Sequence, residues 1–471
     1  MVLCVSRQRP QSKELVKKSM RLLQTDGQSA CSTSKTASSP LPGCPRRLQT
    51  SSTGYYGSRG TSSKRIQRFR TWYTGDVSAC YTALSALSHE DNVNDRYGAV
   101  KENTYDLVTL SNLCVDVLVP LDSLPEDVCV DSDRKTLLEY LTENPPGKDS
   151  WEVGGNTNTL IAASRLGMRV AAVGHVGDDT FGKFLEDVLV TEGTGIASTI
   201  LDESSPRIRG EETLVCFVLV DKATNEHTFC SRYDFGPWPL FQQVTSVCEE
   251  AKMVLSNTAA LFVNGFVFDE IPEELVVQAA KIAQAHGAAV LFDPGPRSWT
   301  FEKGVRRHAL ESMLDNADII LMTEEEAGAV VGTEDAREAI ERLMARPNAR
   351  ATWCIIKQGK RGAMLGDTVS GTVYHQEGYD VPVEDTVGCG DSFAAAIALG
   401  FTQGRDIPST LALAGAVGAA TAMGMGAGRN VADVGRIREI LSKQQGSDEK
   451  IAGALGMIGR GDWSVYEAIP Q

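Results

Sequence analysis

The stretch Asp385-Thr-Val-Gly-Cys-Gly-Asp391-Ser-Phe runs directly into Ala394-Ala-Ala-Ile-Ala-Leu-Gly400. Two glycines one residue apart, followed by an uncharged apolar run of helical length, dictate a tight turn feeding the N-terminus of a buried helix. The first backbone N–H groups of such a helix have no partner within it, point outward and favour an anion. Asp391 falls in the first turn beside that anion site. At an ordinary pKa of about 3.9 its carboxylate is ionised and ready to accept a proton. An anion pocket with a base beside it suits phosphoryl transfer to a hydroxyl. A glycine-rich turn into a core helix accounts for the glycines alone and leaves the two aspartates unexplained.

The rest of the chain supplies a sheet for that helix to cover. From Leu261 the pattern alternates: a strand Leu261-Phe-Val263, a helix over 272–286, a strand Ala289-Val-Leu-Phe292, and further strands at 318–322 and 353–356. Strands alternating with helices argue a parallel sheet covered on both faces. Asp293-Pro-Gly-Pro-Arg297 lies at the C-terminal end of a strand, where ligands of open α/β sheets bind. Upstream, 105–110 and 115–119 read as β segments around a polar break, Ser111-Asn112. Asp116 inside the second apolar run must be paired or must bind a ligand. Residues 134–141 form a helical patch ending at Pro145-Pro146. Gly154-Gly-Asn-Thr-Asn158 leads to a helix over 160–167; its glycines allow close substrate approach, and Asn158 either contacts hydroxyls or caps the helix. A strand over 170–173, a loop Gly174–Gly182 and a helix 183–191 follow. Thr213–Val220 and Glu226–Ser231 read as a β-hairpin, with Arg232 at its end either facing a phosphate or solvated. The C-terminal part holds a helix over 408–423, a loop Met423–Gly428 and a final helix over 431–443.

The Asp385–Asp391 stretch resembles the D-T-x-G-A-G-D signature of the PfkB (ribokinase-like) carbohydrate kinase family. Gly154–Asn158 is similar to that family's G-G-x-x-x-N signature with one residue fewer, and Gly174–Gly182 to its G-x-x-G-x-D-x-x-G pattern. The chain departs from the family at three positions, with Cys114 in place of an Asn two residues before Asp116, Gly295 in D-P-N-x-R, and Thr323 in N-x-x-E. The resemblance covers about residues 104–443. It implies a three-layer α/β/α fold with a mostly parallel central sheet and a small β lid. It also implies transfer of the ATP γ-phosphate to a hydroxymethyl group of a nucleoside or sugar, with a lean to a riboside. Asp391 would be the base, with the N–H groups of Gly388, Cys389 and Gly390 stabilising the phosphoryl group. Asp116, Gly154, Gly155 and Asn158 would hold the substrate. Thr323, Glu326, Lys357, Gly359, Gly362, Gly426 and Ala427 would serve the nucleotide. Glu326 would reach Mg2+ through water, and K+ would sit against backbone carbonyls of Asp385 and Val387 and of the 423–428 loop. Three acids at 324–326 could instead only complement a helix dipole, and the glycines of 423–428 could only permit close packing. Two copies are expected to pair through the lid. The alternative class is a non-catalytic organellar scaffold that keeps the kinase fold.

Charge divides the chain. Residues 1–75 carry 14 Lys or Arg against two acids and hold 13 serines, whereas the whole chain is at −15. Basic, Ser-rich and acid-poor is the composition of an organellar transit peptide, here expected to direct the protein to plastids or alternatively mitochondria; a basic tail that binds something acidic is the other reading. A linker over 76–103 and a tail over 444–471 would flank the kinase domain. The acidic body argues against non-specific nucleic-acid binding. Eleven cysteines without a C-x-x-C pair make neither a disulfide framework nor a zinc site. The uncharged run 407–428 is mostly Ala and Gly, which favours a buried helix over a membrane span.

Overall fold

The computed structural model of the chain describes residues 104–122, 124, 131–194, 196–198, 212–224, 227–232, 244–295, 305–444 and 449–458. The transit-peptide and linker expectations, and Arg297, lie outside these residues. The larger of two sheets has nine strands in the order β13-β12-β11-β10-β9-β8-β1-β4-β5. These are β1 (Leu107–Leu110), β4 (Val170–Val173), β5 (Ile196–Ser198), β8 (Ala260–Asn264), β9 (Ala289–Asp293), β10 (Ile319–Thr323), β11 (Trp353–Lys357), β12 (Ala363–Asp367) and β13 (Thr372–Gln376). All neighbours from β5 to β11 are parallel; β12 and β13 add antiparallel strands at one edge. The central strands β1, β8 and β9 are buried along their whole length, which is why they read as apolar runs rather than alternating ones.

Period-two geometry sorts the strand residues onto two faces. On one, Val108, Leu261, Val263, Val290, Phe292, Ile320, Met322, Cys354 and Ile356 join a single apolar cluster. That cluster takes in the buried stripes of α4 (Glu249–Leu255), α5 (Glu273–Ala285), α6 (Val305–Asn316), α7 (Glu324–Val331) and α8 (Ala336–Met344). In α8 the stripe is Ala336, Ala339, Ile340 and Leu343, at helical spacing. The opposite layer contains α2 (Asn156–Arg165), which packs on β1 and β4 and against α9 (Cys389–Thr402); α9 packs in turn on α10 (Ile407–Ala422). Small residues dominate α9 and α10, so the two helices approach closely; the missing Cβ of Gly400 leaves room for Thr410. α11 (Val434–Ser442) and α12 (Glu449–Met457) also pack on α10. The C-terminal segment expected as a plain tail therefore contains a docked helix. No described helix is long and apolar enough to cross a membrane.

The second sheet has the order β3-β2-β6-β7, with β2 (Leu113–Leu121), β3 (Trp151–Gly155), β6 (Leu214–Asp221) and β7 (His227–Ser231). This is the small β lid. The helical patch between β2 and β3 is α1 (Asp131–Glu143), and the helix that the Gly174–Gly182 loop runs into is α3 (Thr180–Thr191).

The chain leaves the large sheet for the lid at Ser111 and Asn112, both in the left-handed region at φ 53° and 54°. Side chains from elsewhere hold this switch. Asn156 Nδ2 donates to the carbonyls of Leu110 and Ser111 at 3.0 and 2.7 Å. The Glu270 carboxylate accepts from Ser111 Oγ and from Asn112 N–H, the latter at 3.2 Å. Burial pushes the Glu270 pKa up to about 7, against the opposing pull of those two donors. A carboxyl whose folded pKa lies above its unfolded value binds more protons in the folded state, so its contribution to stability is full at low pH and falls as pH rises from about 4.5 to about 7. Glu270→Gln is therefore expected to match the wild type near pH 5 and to exceed it at pH 8 by at most about 3 kcal/mol. Thermal unfolding at the two pH values checks this; an equal or lower melting temperature at pH 8 would contradict it.

Candidate active site

Four adjacent strands end in polar residues on the face away from the apolar cluster: Asn264, Asp293, Thr323 and Lys357 close β8, β9, β10 and β11. Asn264 is in register with Asp293, and Thr323 with Lys357. Lys357 Nζ meets Asp293 Oδ2 at 2.5 Å, both side chains being nearly buried. The ammonium also lies beside the first turn of α9, since a Cβ on Gly390 would stand 3.5 Å from it. Burial opposes the charge on Lys357, but Asp293, Glu326 and Asp391 together push its pKa well up, so it stays an ammonium.

Gly388 caps α9 at φ 79°, a conformation costly for a residue with a Cβ, and the tight fit against Val431 and Ala427 excludes one as well. Cys389, Gly390 and Asp391 form the first helical turn. The Cys389 N–H donates to the Thr386 carbonyl at 3.3 Å, so of the three expected anion donors Cys389 is already partly engaged. Burial first, then Asp385 and Asp391, push the Cys389 thiol up to about 12, and it stays protonated.

Asp391 departs from the sequence expectation in its acidity. Burial is the largest cause and Asp293 adds to it; Asn158 and Lys357 pull the other way, and the pKa settles at about 6. The assumption of an ordinary carboxylate failed because acidity here depends on what covers the helix end. Asn158 differs too. It lies inside α2, whose N-cap is Gly155, so it is not the helix cap. Its Nδ2 donates to Asp391 Oδ2 at 3.0 Å and its Oδ1 accepts from Gly428 N–H at 2.8 Å. One amide hydrogen is left for a substrate, and Asn158 mainly fixes the carboxylate of Asp391.

The lid supplies the facing wall. Asp116 is buried, and Cys114 Sγ donates to its Oδ1 at 3.5 Å. Burial, with the charges of Asp391 and Glu152 adding, raises the Asp116 pKa to about 7. Gly154 touches this carboxyl so closely that a Cβ there would overlap it. Gly155, at φ 59°, turns β3 into α2 against the Asn112 carbonyl. Glu152 of β3 accepts from Arg429 Nε at 3.0 Å, tying the lid to the loop before α11.

The remaining expected residues divide. Glu326 and Thr323 form a capping box in which Thr323 N–H donates to Glu326 Oε2 at 2.7 Å and Glu326 N–H to Thr323 Oγ1 at 3.2 Å. Glu326 thus serves the helix end and also keeps Lys357 and Asp293 as electrostatic neighbours; burial raises its pKa and Lys357 lowers it. Asp385 Oδ1 accepts from Val387 N–H at 3.1 Å and Oδ2 from Gly426 N–H at 2.9 Å, joining the two loops expected around a cation. Ala427 packs on Gly388. Gly359 and Gly362 stay in the β11–β12 turn, where a Cβ on Gly362 would fall on the Gln376 carbonyl. Among the described residues no three His, Cys, Asp or Glu side chains could hold a metal by themselves. Carboxylates in excess over one ammonium fit Mg2+, which is usually held by one or two carboxylates, water and the phosphates of a substrate.

Sequence reasoning missed Asp293 as a site residue and the Glu270 clamp. The D-P-G-P-R turn at a strand end was the available signal for Asp293, whereas Glu270 lies 158 residues from Asn112 and gave none.

Comparison with known proteins identifies relatives of both the sequence and the fold. A family model described as pfkB family carbohydrate kinase matches residues 129–433. The 5-dehydro-2-deoxygluconokinase of Bacillus subtilis is 23% identical over 326 residues, spanning 67% of this chain and 89% of its own length. The same enzyme of Bacillus licheniformis is 22% identical over 353 residues, spanning 74% and 99%. Among solved structures, Arabidopsis thaliana ribokinase with ribose and ATP aligns with a TM-score of 0.56 at 20% identity, covering 72% of this chain and 99% of that one. Sinorhizobium meliloti adenosine kinase aligns with a TM-score of 0.56 at 22% identity, covering 70% and 97%. An Escherichia coli structure described as a ribokinase II with ATP and Mg2+ gives 0.55 at 20% identity, covering 72% and 99%.

Proposed function

Because the chain belongs to the pfkB family of carbohydrate kinases, we propose that it transfers the γ-phosphate of ATP to a hydroxymethyl group of a nucleoside or sugar. The observation that carries this reading is the placement of Asp391 in the first turn of α9, held by Asn158 and flanked by the Lys357 ammonium. A hydroxyl delivered to Asp391 gives up its proton to the carboxylate as its oxygen attacks the γ-phosphorus, and the bond from that phosphorus to the ADP oxygen breaks. The α9 amides and Lys357 stabilise the charge that spreads over the transferring group. Mg2+, when bound with the nucleotide, neutralises phosphate charge. Asp116 accepts a substrate hydroxyl from the lid side. Two acceptor classes have support: ribosides from the sequence, and deoxy sugar acids from the 5-dehydro-2-deoxygluconokinases of Bacillus.

ADP release from ATP and Mg2+ should depend on an acceptor drawn from adenosine, ribose, 2-deoxyribose, fructose and 5-dehydro-2-deoxygluconate. A folded, ATP-binding protein that releases no ADP with any of them would count against the reading. The link from Asp385 to Gly426 also supports a monovalent cation beside the α9 turn. K+ is expected to raise the rate several-fold over a large organic cation at matched ionic strength, with Na+ less effective. Equal rates would remove the ion from the mechanism.

A further inference from the structure

Two of the departures from the family pattern, Cys114 and Gly295, meet at one aromatic ring. Phe266 belongs to the turn Gly265–Asp269 that follows β8. It packs on the buried pair Cys114 and Leu214, which are register partners on neighbouring lid strands β2 and β6. Its other edge faces the end of β9, where a Cβ on Gly295 would stand 3.5 Å from Cε2 of the ring. Phe266 thus touches both the lid and the end of the large sheet. It is half-buried, so part of it remains accessible.

The polar groups on either side are those of the proposed chemistry. On the lid, Cys114 hydrogen-bonds Asp116, the hydroxyl acceptor. At the sheet, the Gly295 N–H donates at 3.0 Å to Asp293 Oδ1, whose other oxygen holds Lys357. Between them stands the partly exposed ring, backed by a buried thiol already pointed at Asp116, a buried leucine and a buried glycine. None of these replaces the hydrogen bonds that a hydroxyl loses on leaving water, whereas a carbon face meets an apolar partner.

We infer that Phe266 is a specificity-determining residue whose ring, held in place by Cys114 and Leu214 behind it, selects an acceptor that presents a hydroxyl-free carbon face beside the hydroxyls held by Asp116. This rests on the proposed kinase reading. Two kinds of molecule carry such a face: a nucleoside through its planar base and a deoxy sugar through its methylene.

The test compares kcat/KM for adenosine, for 2-deoxyribose against ribose, and for 5-dehydro-2-deoxygluconate against 5-dehydrogluconate, in the wild type, Phe266→Leu and Phe266→Tyr. The wild type should prefer carbon-faced acceptors by roughly 10-fold or more. Phe266→Leu should narrow that ratio by roughly 10-fold, with the loss falling mainly on KM for the acceptor and KM for ATP unmoved. Adenosine preferred over both deoxy compounds assigns the face to a base, and the reverse assigns it to a methylene. Phe266→Tyr keeps the ring and adds a hydroxyl that can meet a hydroxylated acceptor, so it should shift the preference toward ribose, even if Phe266→Leu does not fold. A wild type indifferent to the carbon face, or a preference identical in all three proteins, overturns the assignment while leaving the kinase intact. Absence of acceptor-dependent turnover in a folded wild type is the separate failure of the kinase reading. In that case calorimetry of adenosine and 2-deoxyribose binding decides the role of Phe266, with unchanged affinity in Phe266→Leu overturning it.

Discussion

Asp391→Asn is expected to lower kcat by roughly 10²- to 10⁴-fold, the usual size of a general-base contribution, with ATP affinity nearly unchanged. The amide keeps the shape and can still meet Asn158, so the fold is expected to survive. The pH profile makes the result specific. With the Asp391 pKa raised by burial to about 6, the wild-type kcat/KM should fall as pH drops through about 6, because the protonated carboxyl cannot accept the hydroxyl proton. In the variant the component near pH 6 should be absent from the residual rate, leaving only the loss of acceptor binding as Asp116 takes up a proton near pH 7. Wild-type turnover in Asp391→Asn, or a pH profile of kcat identical to the wild type's, would identify a different base.

The second large effect concerns Lys357. Lys357→Met removes the ammonium that faces Asp293, Glu326 and Asp391, leaving buried carboxylates without their counter-charge. Breaking a buried pair from one side typically costs about 3–5 kcal/mol. The same change removes the cation beside the first turn of α9 that the proposed mechanism uses to stabilise the transferring group, so kcat/KM should fall roughly 10²- to 10³-fold. A double variant separates the two effects. Lys357→Met combined with Asp293→Asn should regain part of the lost stability, since fewer unpaired charges stay buried, while activity should stay low. Recovery of activity along with stability would mean that Lys357 only holds the fold together.

The parts of this site that were legible in the sequence are those encoded over short distances. The Asp385–Asp391 turn was readable because glycine requirements and helix-end chemistry act within a few residues, and the strand ends were readable because uninterrupted apolar runs must be buried. The acidity of Asp391 was not, because its burial and the nearby charge of Asp293 arise only once distant elements assemble. Lys357 was read as part of a nucleotide turn from its neighbours Gly359 and Gly362. The strand period instead turns it onto the α9 face beside Asp293, 64 positions earlier. Asn158 carried a substrate role by position in a motif, yet its amide is largely spent on Asp391 and Gly428. The edge strands β12 and β13 escaped notice because β13 is largely exposed, with only its last residue buried, and carries no apolar run.

Identification of the phosphorylated product tests the central claim most directly. Incubating the full chain with ATP, Mg2+ and the best acceptor of the panel, and following the reaction by phosphorus NMR and mass spectrometry, should show one phosphate ester on a hydroxymethyl carbon for each ADP formed. Both signals should fall at least about 100-fold in Asp391→Asn. ADP formed together with free phosphate and no ester, or an ester formed equally well by Asp391→Asn, would contradict an Asp391-based phosphoryl transfer to a substrate hydroxyl.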